Sequence, residues 1–202
     1  MKTMKMKAFI LIESILFVSF IIMDFMNMNS IYIKYLGIVI CFVFSILNKN
    51  YIISLAQLFT LIADYFLLVI DNYYVLGLIS FIIVQMIYMY FLYNNKTKLY
   101  IYIRLLLIVI AISLINKLPL LYVLVLCYFS MLIMNAITSY SNRNLILLSI
   151  GFTLFIGCDI SVGLHNILNS GLLYEIATMS MWIFYLPSQV LITIGGLINV
   201  NS

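Results

Sequence analysis

Residues 145–165 read LILLSIGFTLFIGCDISVGLH. Apart from His165 at its edge, Asp159 is the only residue of this run that carries a charge as a free side chain at neutral pH. A bilayer's hydrocarbon core takes about 20 apolar residues of helix to cross. The run is too long for a strand and lacks the alternation of a barrel strand. In lipid, only a helix satisfies every backbone amide of such a segment internally. The stretch therefore reads as a transmembrane helix with a carboxylate inside the membrane.

The same texture covers the chain. Apolar and aromatic residues make up 66% of it and charged residues 8%, against roughly 25% charged in a soluble domain. So few charges cannot solvate a globule, so lipid must be part of the solvent. Spans are expected at about 8–26, 31–47, 51–70, 73–93, 99–115, 118–138, 145–165 and 177–198. The expected fold is all-α: a polytopic membrane bundle of eight transmembrane helices forming one integral-membrane domain, 1–202. Polar residues punctuate it at Asn27–Ser30, Asn48-Lys49-Asn50, Asp71-Asn72, Asn94-Asn95-Lys96, Asn116-Lys117 and Ser141–Asn144. The longest loop is expected from Asn166 to Ile176. The opening MKTMKMK resembles a signal peptide, but no small-residue cleavage site follows, so it reads as a retained first span.

Charge sets the orientation. With the N-terminus in the cytoplasm, Lys2, Lys5, Lys7, Lys49, Lys96, Lys98 and Arg143 all lie inside, and Arg104 can snorkel there. Only Lys34 and Lys117 fall outside. An even number of spans makes both termini cytoplasmic. Richness in Ile, Asn, Lys and Tyr fits an AT-rich bacterial genome, hence a multi-pass protein of the bacterial cytoplasmic membrane. No basic stripe points to nucleic acid. Cys41, Cys127 and Cys158 match no metal or redox spacing and read as small core residues. Neither metal nor cofactor is expected. A serine-hydrolase elbow, a zinc-protease helix and a phosphate loop are all missing.

The exceptions inside the spans carry the information. A carboxylate at a helix centre costs at least about 2.5–3.5 kcal/mol on insertion scales. Asp64 in the third span and Asp159 in the seventh both bear that cost. Each lies roughly 18–21 Å from the inner boundary, so they share a depth and can face one cavity. Either they glue helices together or they do chemistry; Ser, Asn or Gln would be cheaper glue. Gln85 and Gln189 form a second pair at a common depth in spans four and eight. Tyr88 and Tyr185 can share their helix faces. These amides read as interhelical clamps or as groups that orient a substrate or water. An Asp span followed by a Gln span in each half suggests an internal duplication. Lys34 can snorkel, pair with a carboxylate or hold a lipid phosphate. Glu13 reads as a buried partner or a near-interface residue. Asp24, Asp71 and Glu175 read as solvated helix ends. His165 reads as an interfacial or core residue, and Pro187 as a kink before Gln189.

Taken together, the residues resemble the YhhN-type lysoplasmalogenases, eight-span membrane proteins. Ile31–Leu36 resembles the family's Lys-Pro motif through Lys34. Ala63–Leu68 resembles its Gly-Asp-x-x-Leu motif through Asp64. Gly77, Phe81 and Tyr88 follow its G-x-x-x-F…H-x-x-Y segment. Gly151, Phe155 and Asp159 match its G-x-x-x-F-x-x-S-D motif, and Tyr185 with Gln189 its late Y-x-x-x-Q. Gln85 stands where the family usually has His, Tyr35 replaces Pro, Ala63 replaces Gly and Cys158 replaces Ser. A Gln orients water but does not shuttle protons.

The resemblance implies hydrolysis of the vinyl-ether bond of lysoplasmalogens, giving a fatty aldehyde and a glycerophospho-ethanolamine or -choline. The implied partners are a lysophospholipid substrate and the bilayer. Asp64 and Asp159 would be the catalytic pair. Lys34, Gln85, Tyr88, Tyr185 and Gln189 would bind or orient. The residue types suit that chemistry. Protonation of the vinyl carbon gives an oxocarbenium ion, so one carboxyl must donate a proton while another, ionised, stabilises the cation and activates water, as in glycosidases. Two other classes share these features: a proton- or cation-coupled carrier, and an inactive structural bundle.

Overall fold

The computed structural model describes residues 2–93 and 98–198; the expected Asn94–Lys96 loop lies outside them. The described residues are mostly helical, with no strand among them. In chain order they form α1 (Lys2–Phe25), α2 (Ile31–Leu47), α3 (Tyr51–Asp64), a π turn (Tyr65–Val69) and α4 (Tyr74–Leu92). Then come α5 (Lys98–Ser113), α6 (Leu120–Tyr140), a short 3₁₀ turn (Arg143–Leu145), α7 (Ile146–Ile167) and α8 (Leu172–Ile198). Six of these segments are long and apolar enough to cross a membrane, while α2 and α5 are shorter apolar helices. The outer surface is apolar, as a lipid-facing surface must be: Leu105, Leu106, Val109 and Ile112 of α5 are all exposed.

Local chemistry explains the breaks. Asn50 caps α3 by accepting from the Ile53 amide at 3.2 Å, and its own amide donates to the Gly196 carbonyl at 2.8 Å. One side chain thus starts α3 and ties its loop to α8. Asn27 and Asp71 close tight loops in left-handed backbone, with φ of 54° and 51°, a conformation these residue types tolerate. Pro119 immediately precedes α6, where its missing N–H costs nothing.

Short connections make neighbouring helices antiparallel. The most extensive interface joins α7 and α8. Two glycines bring them together: a Cβ on Gly195 would sit 2.5 Å from the Leu148 amide nitrogen, and one on Gly151 2.9 Å from that of Ile192. Only a residue without a side chain fits such backbone contact. On the far side of the bundle, α5 packs mainly on α6. A large apolar core lies among α1, α2, α3, α4, α6, α7 and α8, and a smaller one gathers Phe9, Cys41, Phe44 and Ile194.

Three expectations need correcting. The stretch expected as a loop from Asn166 to Ile176 is mostly helix. α7 runs to Ile167 and α8 begins at Leu172, leaving a turn at Gly171 with φ +99°. Glu175 is an exposed helix end, as its reading has it, in the first turn of α8, where a carboxylate suits the helix dipole. Arg104 does not snorkel. It is buried and donates to Met134 O, Asn135 Oδ1 and Thr138 Oγ1 of α6, at 3.2, 2.8 and 2.9 Å; these acceptors compensate it better than a reach along α5. Asp24 is not a free helix end, because it is bound to Lys34.

Candidate active site

Asp64 closes α3, and the chain passes directly from it into the π turn, where Ile70 N bonds Tyr65 O at 2.9 Å. Turns of this kind are rare and concentrate at functional positions. Leu67 from the turn packs onto Gly77, where any Cβ would lie 2.5 Å from it. Asp64 is buried, and its Oδ2 accepts a hydrogen bond from the Tyr185 phenol of α8 at 2.6 Å. Asp159 is half-buried on α7, two turns beyond Gly151. Its Oδ2 accepts from the Tyr128 phenol of α6 at 2.7 Å.

The two carboxylate–phenol pairs meet on one aromatic ring. Phe155, a turn before Asp159, lies 5.5 Å from the Tyr185 ring and 6.4 Å from that of Tyr128. Phe81 of α4 completes the cluster, 5.8 Å from Phe155 and 5.5 Å from Tyr128. Each carboxylate is thus bonded to a phenol that borders the same cluster of rings.

A second polar rung joins α3 to α8. Gln57, two turns before Asp64, donates to Gln189 Oε1 at 3.2 Å and Thr193 Oγ1 at 3.1 Å. Tyr185 and Gln189 thus share a face, one bonded to Asp64 and the other to Gln57. Gln85 is held elsewhere: its Oε1 and its backbone carbonyl each accept from Asn135 Nδ2 at 2.9 Å. Asn135 in turn receives Arg104. Tyr88 is fully buried, edge-on to Phe152 at 5.1 Å. Its hydroxyl, Gln85 Nε2 and Gln189 Nε2 have no hydrogen-bond partner among the described residues. Glu13 is buried too, accepting from the Cys41 thiol at 3.6 Å. The α3–α4 and α7–α8 hairpins do not use their carboxylates alike, since the phenol bonded to Asp159 comes from α6 and not from α4.

Lys34 is also buried, 2.8 Å from Asp24 Oδ2, with its ammonium 4.6 Å from the centroid of Trp182. Trp182 stands edge-on to Tyr185 at 5.6 Å, so two rings link Lys34 to Asp64. No three His, Cys, Asp or Glu side chains among the described residues gather as metal ligands.

The YhhN family model matches residues 29–196, most of the chain. The chain belongs to the YhhN family. No curated protein and no solved structure matches it. In this YhhN chain, Lys34, Asp64, Asp159 and Tyr185 fall around one continuous set of aromatic rings. Gln85 and Gln189 are bonded to other partners, Asn135 and Gln57, and Tyr88 packs against Phe152. Tyr128, Gln57, Asn135 and Trp182 are new to the site. Gln57 was findable, seven residues before Asp64 and so on the same helical face. Tyr128 was not: nothing in its surroundings separates it from the other fifteen tyrosines.

Proposed function

We propose that this protein hydrolyses the vinyl-ether bond of a lysoplasmalogen, using Asp64 and Asp159 as its acid–base pair. The observation that supports it best is the pair of phenol-bonded carboxyls on either side of Phe155. Each phenol holds one carboxyl oxygen, which turns the other, Oδ1, toward the reacting bond. Tyr128 and Tyr185 are thus positioning residues. One carboxyl delivers its proton to the β-carbon of the alkenyl chain. The α-carbon becomes an oxocarbenium centre, favoured by the opposite carboxylate and by the electron-rich faces of Phe81 and Phe155. That carboxylate takes a proton from the water that attacks the α-carbon. The hemiacetal then collapses to a fatty aldehyde and a glycerophospholipid alcohol. Gln85, Tyr88 and Gln189 support the surrounding helices without touching reacting atoms, so a Gln in the family's usual His position is compatible with activity.

In the same proposal α2 and α5 also cross the membrane, giving eight spans with both termini in the cytoplasm of a bacterial cell. The carboxylates then lie in the outer half of the bilayer, where a single-chain lipid enters sideways.

The test is purified protein in detergent, with no gradient, given lysoplasmenylethanolamine. Aldehyde should appear, and Asp64→Asn or Asp159→Asn should abolish it while the protein stays folded. Full activity in either variant would defeat the assignment. Solute uptake into proteoliposomes without aldehyde would indicate a carrier instead.

A further inference from the structure

A pocket of about 290 Å³ opens beside Lys34, lined by Asp24, Met28, Lys34, Thr178, Met179 and Trp182. Its charges are unusual for a membrane bundle. Lys34 is 9% exposed and Asp24 35%, with Nζ 2.8 and 3.1 Å from the two carboxylate oxygens. Asp24 is also held by the Ser30 hydroxyl, which fixes its carboxylate beside Lys34. The Lys34 ammonium lies over the rings of Trp182 at 4.6 Å and Phe20 at 5.5 Å. An ammonium, a carboxylate and an indole face therefore line one small space.

That set is the mirror image of a zwitterion. A phosphate monoanion complements the three donors of Lys34. An amine complements Asp24 and the Trp182 face, already a cation seat here. A ligand with both charges replaces one internal ion pair with two, so neither group is left buried and unpaired. A ligand with phosphate alone takes Lys34 and leaves Asp24 facing another anion. Position agrees with charge: Trp182 contacts Tyr185, whose phenol holds Asp64.

We propose that this pocket binds the zwitterionic head group of a lysophospholipid, with Lys34 taking the phosphate and Asp24 with Trp182 taking the amine. The inference rests on the hydrolase reading for the lipid's identity. It adds Asp24 and Trp182 as the residues that read the head group.

Trp182 is the only tryptophan in the chain, so its fluorescence reports this pocket alone. The full-length protein in uncharged detergent is titrated with a 1-O-alkyl lysophosphoethanolamine, whose saturated ether cannot be cleaved. The comparison ligands are 1-O-alkyl-glycerol-3-phosphate, which lacks the amine, and glycerophosphoethanolamine, which lacks the chain. The zwitterionic lipid should bind about tenfold or more tighter than the phosphate-only lipid, the usual order for one charge-assisted contact. Asp24→Asn should bring the two lipids to within about twofold, and Asp24→Glu should restore the preference. The proposal is overturned by an unchanged Trp182 emission, by equal binding of the two lipids to the wild type, or by a preference that survives Asp24→Asn. Equally tight binding of the chain-free ligand would assign the pocket to a soluble zwitterion and overturn the lipid assignment. Aldehyde release is scored separately. Its absence with head-group preference intact removes the chemistry and leaves the pocket.

Discussion

Replacing Tyr185 with Phe isolates the contribution of one hydrogen bond to the proposed chemistry. The ring lies between Phe155 at 5.5 Å and Trp182 at 5.6 Å, so a Phe ring fills the same space and only the hydroxyl is lost. That hydroxyl makes a 2.6 Å bond to Asp64. A hydrogen bond to a charged group contributes about 1.5–3 kcal/mol, which is about ten- to hundredfold in rate if all of it serves to hold the carboxyl in its reactive pose. The substitution should therefore lower kcat by that factor and leave KM within about twofold, because the phenol touches the acid and not the lipid. Aldehyde release can be followed continuously with a coupled aldehyde dehydrogenase, and a thermal melt checks that the protein remains folded. A folded Tyr185→Phe protein with kcat within twofold of wild type would refute the positioning argument.

Two further substitutions test the framework. Gly195→Ala places a methyl 2.5 Å from the Leu148 amide and should cost about 1–3 kcal/mol through forced separation of α7 and α8. The melting temperature in detergent should fall by several degrees, whereas Gly163→Ala, with nothing within 4 Å, should leave it unchanged or slightly higher. Arg104→Leu removes all three bonds that the guanidinium makes to α6 and should weaken the docking of α5 by about 2 kcal/mol or more. Hydrogen exchange should then rise along α5 while α7 and α8 keep their protection; a uniform rise along the chain would contradict the local role.

Much of the architecture was legible because lipid imposes a simple rule on long apolar runs. The expected 31–47 span coincides with α2, and most other ends agree within a few residues. The start of α8 was missed because Asn169, Gly171 and Glu175 look like loop composition, although Glu175 is an ordinary first-turn residue. Asp64 and Asp159 stood out because a carboxylate inside a span is costly enough to need a reason. Their partners did not stand out. A phenol is cheap anywhere in a membrane protein, so Tyr128 and Tyr185 carry no mark of their own; Tyr185 was noted through its spacing to Gln189. The tie between Asp24 and Lys34 was hidden for another reason. Ten residues and a tight loop separate them, and only the packing of α1 against α2 makes them neighbours.

The π turn that follows Asp64 makes that position sensitive to residue count. A wider turn holds one residue more than an ordinary one, so everything beyond it is swung by about 100° relative to a regular helix. Removing any one residue from Tyr65–Val69 would let the segment tighten and carry Leu67 off its seat on Gly77, or else drag the carboxylate around the axis. Insertions and deletions here are therefore as consequential as a change of the acid itself, although each residue of the turn, taken singly, looks like replaceable apolar filler.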